Sequence, residues 1–321
     1  MADNVCDTLY GPLHIADWPD DLLIRSLKQL GEWSAAETII AATIVEDDQP
    51  LWDCGAFLGT FSLGIAHQNR RPSKVIAVEA NPALAPLLEK NLSLLPCPHH
   101  LVSSGLGNQS GWIVPKEEDS ANHGATAYQF QKECSDPARA IACASLEDLR
   151  KEHGDYQFIK VDLEGMELET LLGDRTYLKQ CHPVIWAECN EDKASLDLLK
   201  GLRALGYNTR YVAFPAFRKN NFNQSTDLIY PMAYEAALVA AHPAKLETLD
   251  QAIETLLPEE DIIYRKVETG NELALAMFDT PRWSSAAWAT MNRAELIARL
   301  GRLQRKLTIH DFLDPKPTDS N

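Results

Sequence analysis

A chain of 321 residues with 45% hydrophobic content has material for a sizeable core and for one to three domains. Its net charge of −16 argues against a nucleic-acid partner, which needs a basic surface to neutralise phosphates. No apolar run is long enough to span a membrane, and seven widely spaced cysteines with no C-x-x-C pair and no leading secretory segment are expected to be reduced thiols in a cytoplasmic protein.

Residues 1–48 read as a helical cap. Asp20-Asp21 can cap a run containing Leu22, Leu23, Ile24, Leu27 and Leu30, and a second helix is expected from Ser34 to Thr43. Glu37 either packs with that cap or faces a ligand's amino group.

The stretch Leu51 to Ser62, LWDCGAFLGTFS, reads as a buried strand, a glycine turn and a helix start. In an open α/β sheet such a turn opens a crevice at the strand's carboxyl end, with helix-start N–H groups pointing into it. The pattern D-x-G-x-x-x-G lacks the three glycines of a dinucleotide turn. Asp53 would repel a pyrophosphate but suits a ligand with an ammonium and a sulfonium, which favours S-adenosylmethionine over NAD. Gly55 and Gly59 are expected to let backbone approach that ligand.

A helix with Phe61, Leu63 and Ile65 leads to a second strand, Val75 to Val78, ending in Glu79. Strand, helix and strand make a right-handed βαβ unit, so Glu79 falls at the tip beside that of Asp53. A carboxylate there can accept both ribose hydroxyls. Asn81 can cap the next helix, with Pro82 at its first position. Cys97, His99 and His100 lack a fourth ligand for zinc. His99 to Ser103 reads as a third strand, with Ser104 to Gly107 flanking an adenine pocket. A hairpin is expected around Trp112 to Val114 and Tyr128 to Phe130, and the polar loop between them carries His123, a proton acceptor or an ordinary surface histidine. Ser145 can cap a helix.

Phe158 to Glu167, FIKVDLEGME, reads as a strand that ends in charge. Lys160, Asp162 and Glu164 would share one face if the strand ran straight. Such groups are costly to bury unless they pair or serve a site. Gly165 permits a sharp turn into the following helix.

With these pieces in order, the chain resembles the FkbM-type family of S-adenosylmethionine-dependent methyltransferases. The carrying residues are Asp53 to Ser62, Val78 to Pro82, Ser145 to Leu149 and Phe158 to Glu167, and the resemblance covers Gly31 to Pro231. It implies an α/β, Rossmann-like class I methyltransferase fold with a mostly parallel seven-stranded sheet and helices on both faces, and O-methylation of hydroxyls, often on sugars or polyketide-derived metabolites. Phe57-Leu58 stands where relatives tend to have smaller or polar residues, which would narrow the pocket near the methionine moiety. The implied organisation is a cap over 1–48, a methyltransferase domain over 49–232 and a helical extension over 233–321. The cofactor, S-adenosylmethionine, is then expected at Asp53, Gly55, Ala56, Gly59, Ser62, Glu79, Asn81, Ser104 and Asp162.

The remainder fits. Pro183 to Cys189 is a fifth strand with Glu188 near its end, and a helix from Ala194 stops at Gly206. Tyr207 to Phe214 with Asp227 to Tyr230 is expected to make the closing antiparallel pair. On the loop between them, Phe217, Asn220, Asn221 and Phe222 suit a sugar or are ordinary loop residues. Beyond Ala233 helices are expected, one with Leu246, Leu249, Ile253 and Leu256, another with Leu296, Leu300, Leu303 and Leu307 and a basic face that is solvated or forms a homodimer seam. Asp314 to Asp319 is expected to be disordered.

A hydroxyl needs a proton acceptor as it attacks. Asp162 and Glu164 are the candidates, with Lys160 holding one of them ionised and Glu188 or His123 as alternates. Carboxylates also suit magnesium, though no spacing here requires a metal. The function expected is O-methylation of a small-molecule or carbohydrate hydroxyl. The alternatives are a catalytically silent module that acts through its C-terminal helices, and an NAD-dependent oxidoreductase.

Overall fold

The computed structural model describes residues 4–116, 128–134, 139–230 and 232–281. His123, the basic helix expected around Leu296 to Leu307 and the tail after Asp314 lie outside the described residues. The chain opens with a hairpin rather than a helix: β1 (Val5–Thr8) pairs antiparallel with β2 (Gly11–His14). Thr8 Oγ1 donates to the Gly11 carbonyl at 2.6 Å, closing a turn whose left-handed position is filled by Gly11. The helices follow as α1 (Leu22–Leu30) and α2 (Ala35–Ala41). Asp21 caps the first by accepting the Ile24 N–H.

The main sheet begins with β3 (Pro50–Cys54), α3 (Thr60–His67), β4 (Lys74–Glu79), α4 (Ala85–Leu92) and β5 (His99–Ser103). A smaller sheet then branches off, built from β6 (Gly105–Gly107), β7 (Gly111–Pro115), β8 (Tyr128–Gln131) and β9 (Ile141–Ser145). The expected hairpin is its β7–β8 pair. After α5 (Leu146–His153), capped by Ser145, the chain returns to the main sheet with β10 (Phe158–Val161). Next come α6 (Glu167–Leu172), α7 (Arg175–Cys181), β11 (Val184–Glu188), α8 (Lys193–Ala204) and β12 (Asn208–Pro215). β13 (Tyr234–Ala241), α9 (Pro243–Glu260), β14 (Ile263–Lys266) and α10 (Gly270–Asp279) complete the described chain.

The large sheet runs β14-β12-β13-β11-β10-β3-β4-β5. β5, β4, β3, β10 and β11 are parallel; β13 enters antiparallel between β11 and β12, and β14 lies antiparallel on the β12 edge. It therefore has eight strands, one more than expected, because the C-terminal extension contributes a strand as well as helices and covers the open edge of β12. The partner of β12 is also not Asp227 to Tyr230. A strand inserted between two neighbours is buried on both faces and must be continuously apolar. The run AALVAA of β13 meets that need, and the sheet continues past residue 232.

Adjacent strand residues face opposite layers, as the pleat requires. Leu51, Phe158, Val184 and Val212 join a core with α1, α2, α3 and α9, whereas Trp52, Ile159, Ile185 and Tyr211 join one with α5, α7, α8 and α10. Each large side chain so buried contributes about 1.5–3 kcal/mol. Helices thus cover both faces and leave the carboxyl ends of the parallel strands open for a site. The bidentate pair of Arg218 with Glu32, at 2.8 and 3.1 Å, ties the loop after β12 to the N-terminal segment. No helix among the described residues is long and apolar enough to cross a membrane.

Candidate functional site

A cavity of about 260 Å³ opens at the carboxyl ends of β3, β4, β10 and β11. Its first wall is the turn after β3. Gly55 is left-handed at φ +86°, and a Cβ on it would stand 1.9 Å from the Asp162 carbonyl oxygen. The glycine thus admits the neighbouring protein backbone, and it also lines the cavity. Phe57 is also left-handed, at φ +49°, which for a non-glycine costs on the order of 1–3 kcal/mol. Its N–H donates to Glu79 Oε2 at 2.8 Å, and the Asn81 N–H donates to Glu79 Oε1 at 2.7 Å. Glu79, 8% exposed at the tip of β4, is therefore pinned in the cavity wall. Burial pushes its carboxyl up while the Asn81 and Phe57 amides oppose the shift.

Asn81 and Ser104 line the same wall. Asn81 Oδ1 accepts the Ala83 N–H at 3.0 Å in a turn that precedes α4, so that helix starts at Ala85 and not at Pro82. Ser104 Oγ donates to the Gly105 carbonyl at 2.8 Å. Asp53, Ala56, Gly59 and Ser62 do not line the cavity. Asp53 is fully buried behind the turn, where it accepts the Ser62 hydroxyl at 2.7 Å. Leu58 points into the core, whereas Phe57 lines the cavity.

The second wall is built where β10 ends. Lys160 Nζ donates to Asp162 Oδ2 at 2.6 Å and lies 5.5 Å from the centroid of the Phe61 ring. Burial opposes the ammonium, yet Asp162, Glu37 and Asp53 together hold it above the ordinary lysine range. The strand does not run straight through Glu164: that residue is left-handed at φ +51° and Gly165 follows at φ +96°. Glu167, to which the sequence reading gave no role, holds this turn by accepting the Leu163 and Gly165 N–H groups at 2.9 and 3.0 Å. The bend brings one carboxylate oxygen each from Asp162, Glu164 and Glu188 within 4.8 Å of one another, a spacing that a single cation can span. Burial, followed by Asp162, Glu167 and Glu235, pushes Glu164 up to about 8. Glu188 is raised well above the carboxylate range, by burial first and then by Asp162 and Glu164.

A third contribution comes from the N-terminal segment. Glu37, on α2, accepts the Trp186 Nε1–H at 2.8 Å and lines the cavity. Burial pushes it up to about 7, against the pull of Lys160. The residues on the loop after β12 do not reach the site. Phe217 is in the core, and Asn221 is buried in hydrogen bonds to its own loop, including one from Ser225 N–H to its Oδ1 at 2.8 Å. Neither these nor Asn220 and Phe222 line the cavity.

Residues 53–209 match the model of the methyltransferase FkbM domain. That segment belongs to the FkbM family. The FkbM domain thus begins in β3 and ends in β12, and it carries Glu79, Lys160, Asp162, Glu164 and Glu188. Among solved structures, the chain is similar to methyltransferase FkbM from Methylobacillus flagellatus KT at 17% identity and TM-score 0.40, over 61% of this chain and 44% of that one. It is also similar to a precorrin-6y C5,15-methyltransferase from Geobacter metallireducens GS-15 at 17% identity and TM-score 0.38, over 65% and 86% of the two chains. A putative O-methyltransferase from Klebsiella pneumoniae matches at 10% identity and TM-score 0.33, over 71% and 80%. No curated protein matches the chain. Outside the FkbM domain, Leu22, Trp33, Ser34, Glu37 and Glu235 also line the cavity, so segments before and after the domain close it.

Proposed function

We propose that the protein is a cytoplasmic, S-adenosylmethionine-dependent O-methyltransferase that acts on a hydroxyl of a small molecule or carbohydrate. The observation that carries this reading is one cavity that joins the pinned Glu79 carboxylate to the Lys160–Asp162 pair. The Phe57 and Asn81 N–H groups each take one position on a Glu79 oxygen, with the Ala80 amide as a further backbone partner, and a carboxylate offers about four acceptor positions, so capacity remains for a ribose hydroxyl. Glu79, Asn81 and Ser104 would hold the nucleoside part. When bound, S-adenosylmethionine supplies a methyl group activated by a sulfonium.

The chain's own task is to hold the acceptor oxygen in line and to take its proton. Asp162, paired with Lys160, is placed to accept the proton as the hydroxyl attacks, and Glu164 beside it can do so in its ionised form. Glu188 stands next to them and can serve as a further acceptor in its ionised form. Phe57, Leu22 and Leu23 form apolar wall that excludes water.

Calorimetric titration with S-adenosylhomocysteine, with NAD in parallel and Glu79→Ala as control, tests the cofactor half. Micromolar binding that weakens by about 10–100-fold in the variant and no response to NAD are expected. Full turnover in both Asp162→Asn and Glu164→Gln would refute the catalytic half, and loss of turnover in EDTA with recovery in magnesium would refute a metal-free mechanism.

A further inference from the structure

The charge of the cavity narrows the acceptor. Where β10 and β11 end and β13 begins, Asp162, Glu164, Glu188 and Glu235 line it, and Glu37 lines it from α2. Among the described residues of the lining, Lys160 is the sole cation, and it is already bonded to Asp162. Glu188 Oε2 is shut off from solvent without a hydrogen-bond partner. S-adenosylmethionine brings a net single positive charge, which leaves most of these carboxyl groups uncompensated.

An independent feature stands in the same cavity. Ser34 is 3% exposed, lines the cavity, and its Oγ has no hydrogen-bond partner. A buried orphan hydroxyl costs about 1–3 kcal/mol, so it persists where something else supplies the missing bond. Ser34 precedes α2 one turn before Glu37, on a segment outside the FkbM domain.

We propose that the acceptor bears a protonated amino group close to the hydroxyl that is methylated, as in an amino sugar, with Glu164 and Glu188 holding the ammonium and Ser34 Oγ bonding to a hydroxyl of the same molecule. This rests on the methyltransferase reading. An ammonium donates three hydrogen bonds, which suits converging carboxylates. A divalent metal would have to share Asp162 with the Lys160 ammonium, 2.6 Å from its Oδ2, and like charges that close repel. Burial and mutual repulsion raise Glu164 and Glu188 above the ordinary carboxylate range, and an ammonium held between them would oppose that rise and release protons. The charged groups facing this point are Glu37 on α2, Lys160, Asp162 and Glu167 around the end of β10, and Glu235 on β13.

The test titrates the full chain, saturated with S-adenosylhomocysteine, with glucosamine, glucose, N-acetylglucosamine and magnesium chloride in two buffers of different ionisation enthalpy. Glucosamine is expected to bind roughly tenfold tighter than glucose or N-acetylglucosamine, with proton release that the neutral sugars lack. Glu188→Gln should erase that preference, and Ser34→Ala should weaken all three sugars alike. Equal or tighter binding of the neutral sugars, no binding of any sugar, or magnesium binding that needs Glu188 would overturn the proposal. Failure of S-adenosylhomocysteine to bind would refute the methyltransferase reading instead, and the sugar titrations, repeated without it, still decide the amine preference.

Discussion

At one end of the cavity a carboxylate is surrounded by donors; at the other, carboxylates surround one another. Glu79 takes the Phe57 and Asn81 amides on its two oxygens, and the left-handed backbone of Phe57 is part of what aims them. Glu164 and Glu188 stand where Asp162, Glu167 and Glu235 add negative charge and Lys160 alone offsets it. The first end is built before any ligand arrives and can receive neutral hydroxyls. At the second, burial and crowding raise the carboxyl groups above the ordinary range, so they act as proton acceptors only as their charge is balanced. One residue type thus serves two tasks, and the backbone around it sets which.

Four experiments would break or sharpen this contrast. The largest effect is expected from Asp162→Asn combined with Glu164→Gln, which should lower turnover by about 10²–10⁴-fold, the usual worth of a positioned proton acceptor. Affinity for S-adenosylhomocysteine should stay within a few-fold, and a collapse of that affinity would merge the two ends into one. Gly55→Ala joins them mechanically, because its Cβ would meet the Asp162 carbonyl at 1.9 Å from a left-handed backbone. A loss of about 2–4 kcal/mol in urea unfolding is expected; an unchanged midpoint would show that the β3 turn and the β10 turn move independently.

Glu79→Ala should weaken S-adenosylhomocysteine by about 10–100-fold, as expected when a charged hydrogen-bond acceptor is removed. Its turnover at saturating cofactor should largely survive, and a variant that binds normally would remove the nucleoside role. The smallest effect is on stability against pH. Unfolded glutamates lose their protons near pH 4.5, whereas Glu37 and Glu164 hold theirs up to about 7 and 8. Between those values the folded chain binds more protons than the unfolded one, so stability falls as pH rises. The melting temperature should decline from pH 5 to 9, and Glu164→Gln should flatten the decline; a rise over that range would contradict the crowded arrangement.

Much of this was legible along the chain. Leu51 and Trp52, like Phe158 and Ile159, are all buried but on opposite faces of the sheet, as successive strand residues must be. Glu79, Asp162, Glu164 and Glu188 were visible as acids at strand ends, and Gly165 as the turn. Asp53 was visible too, but its direction was not: the side chain went inward to Ser62 and left the cavity to Glu79. The N-terminal hairpin was missed because a four-residue strand carries too little periodicity to compete with the helical signal beside it. Glu235 gave no local sign of a site, and the Asp227 to Tyr230 assignment missed the strand that carries it.

The sequence by itself therefore determined the local elements: the glycine turn after β3, the acids that end the strands, the Ser145 and Asp21 caps, and the order of strand and helix that marks the FkbM domain. Those features depend on backbone dihedrals and on neighbours a few residues away. Tertiary structure alone decided which carboxyl groups share a cavity. β13 entered antiparallel between β11 and β12 and brought Glu235 to Glu188, while α2 brought Ser34 and Glu37 from outside the domain. Electrostatic coupling and desolvation depend on separation in space, so the site's charge and proton content exist only once distant segments have closed around it.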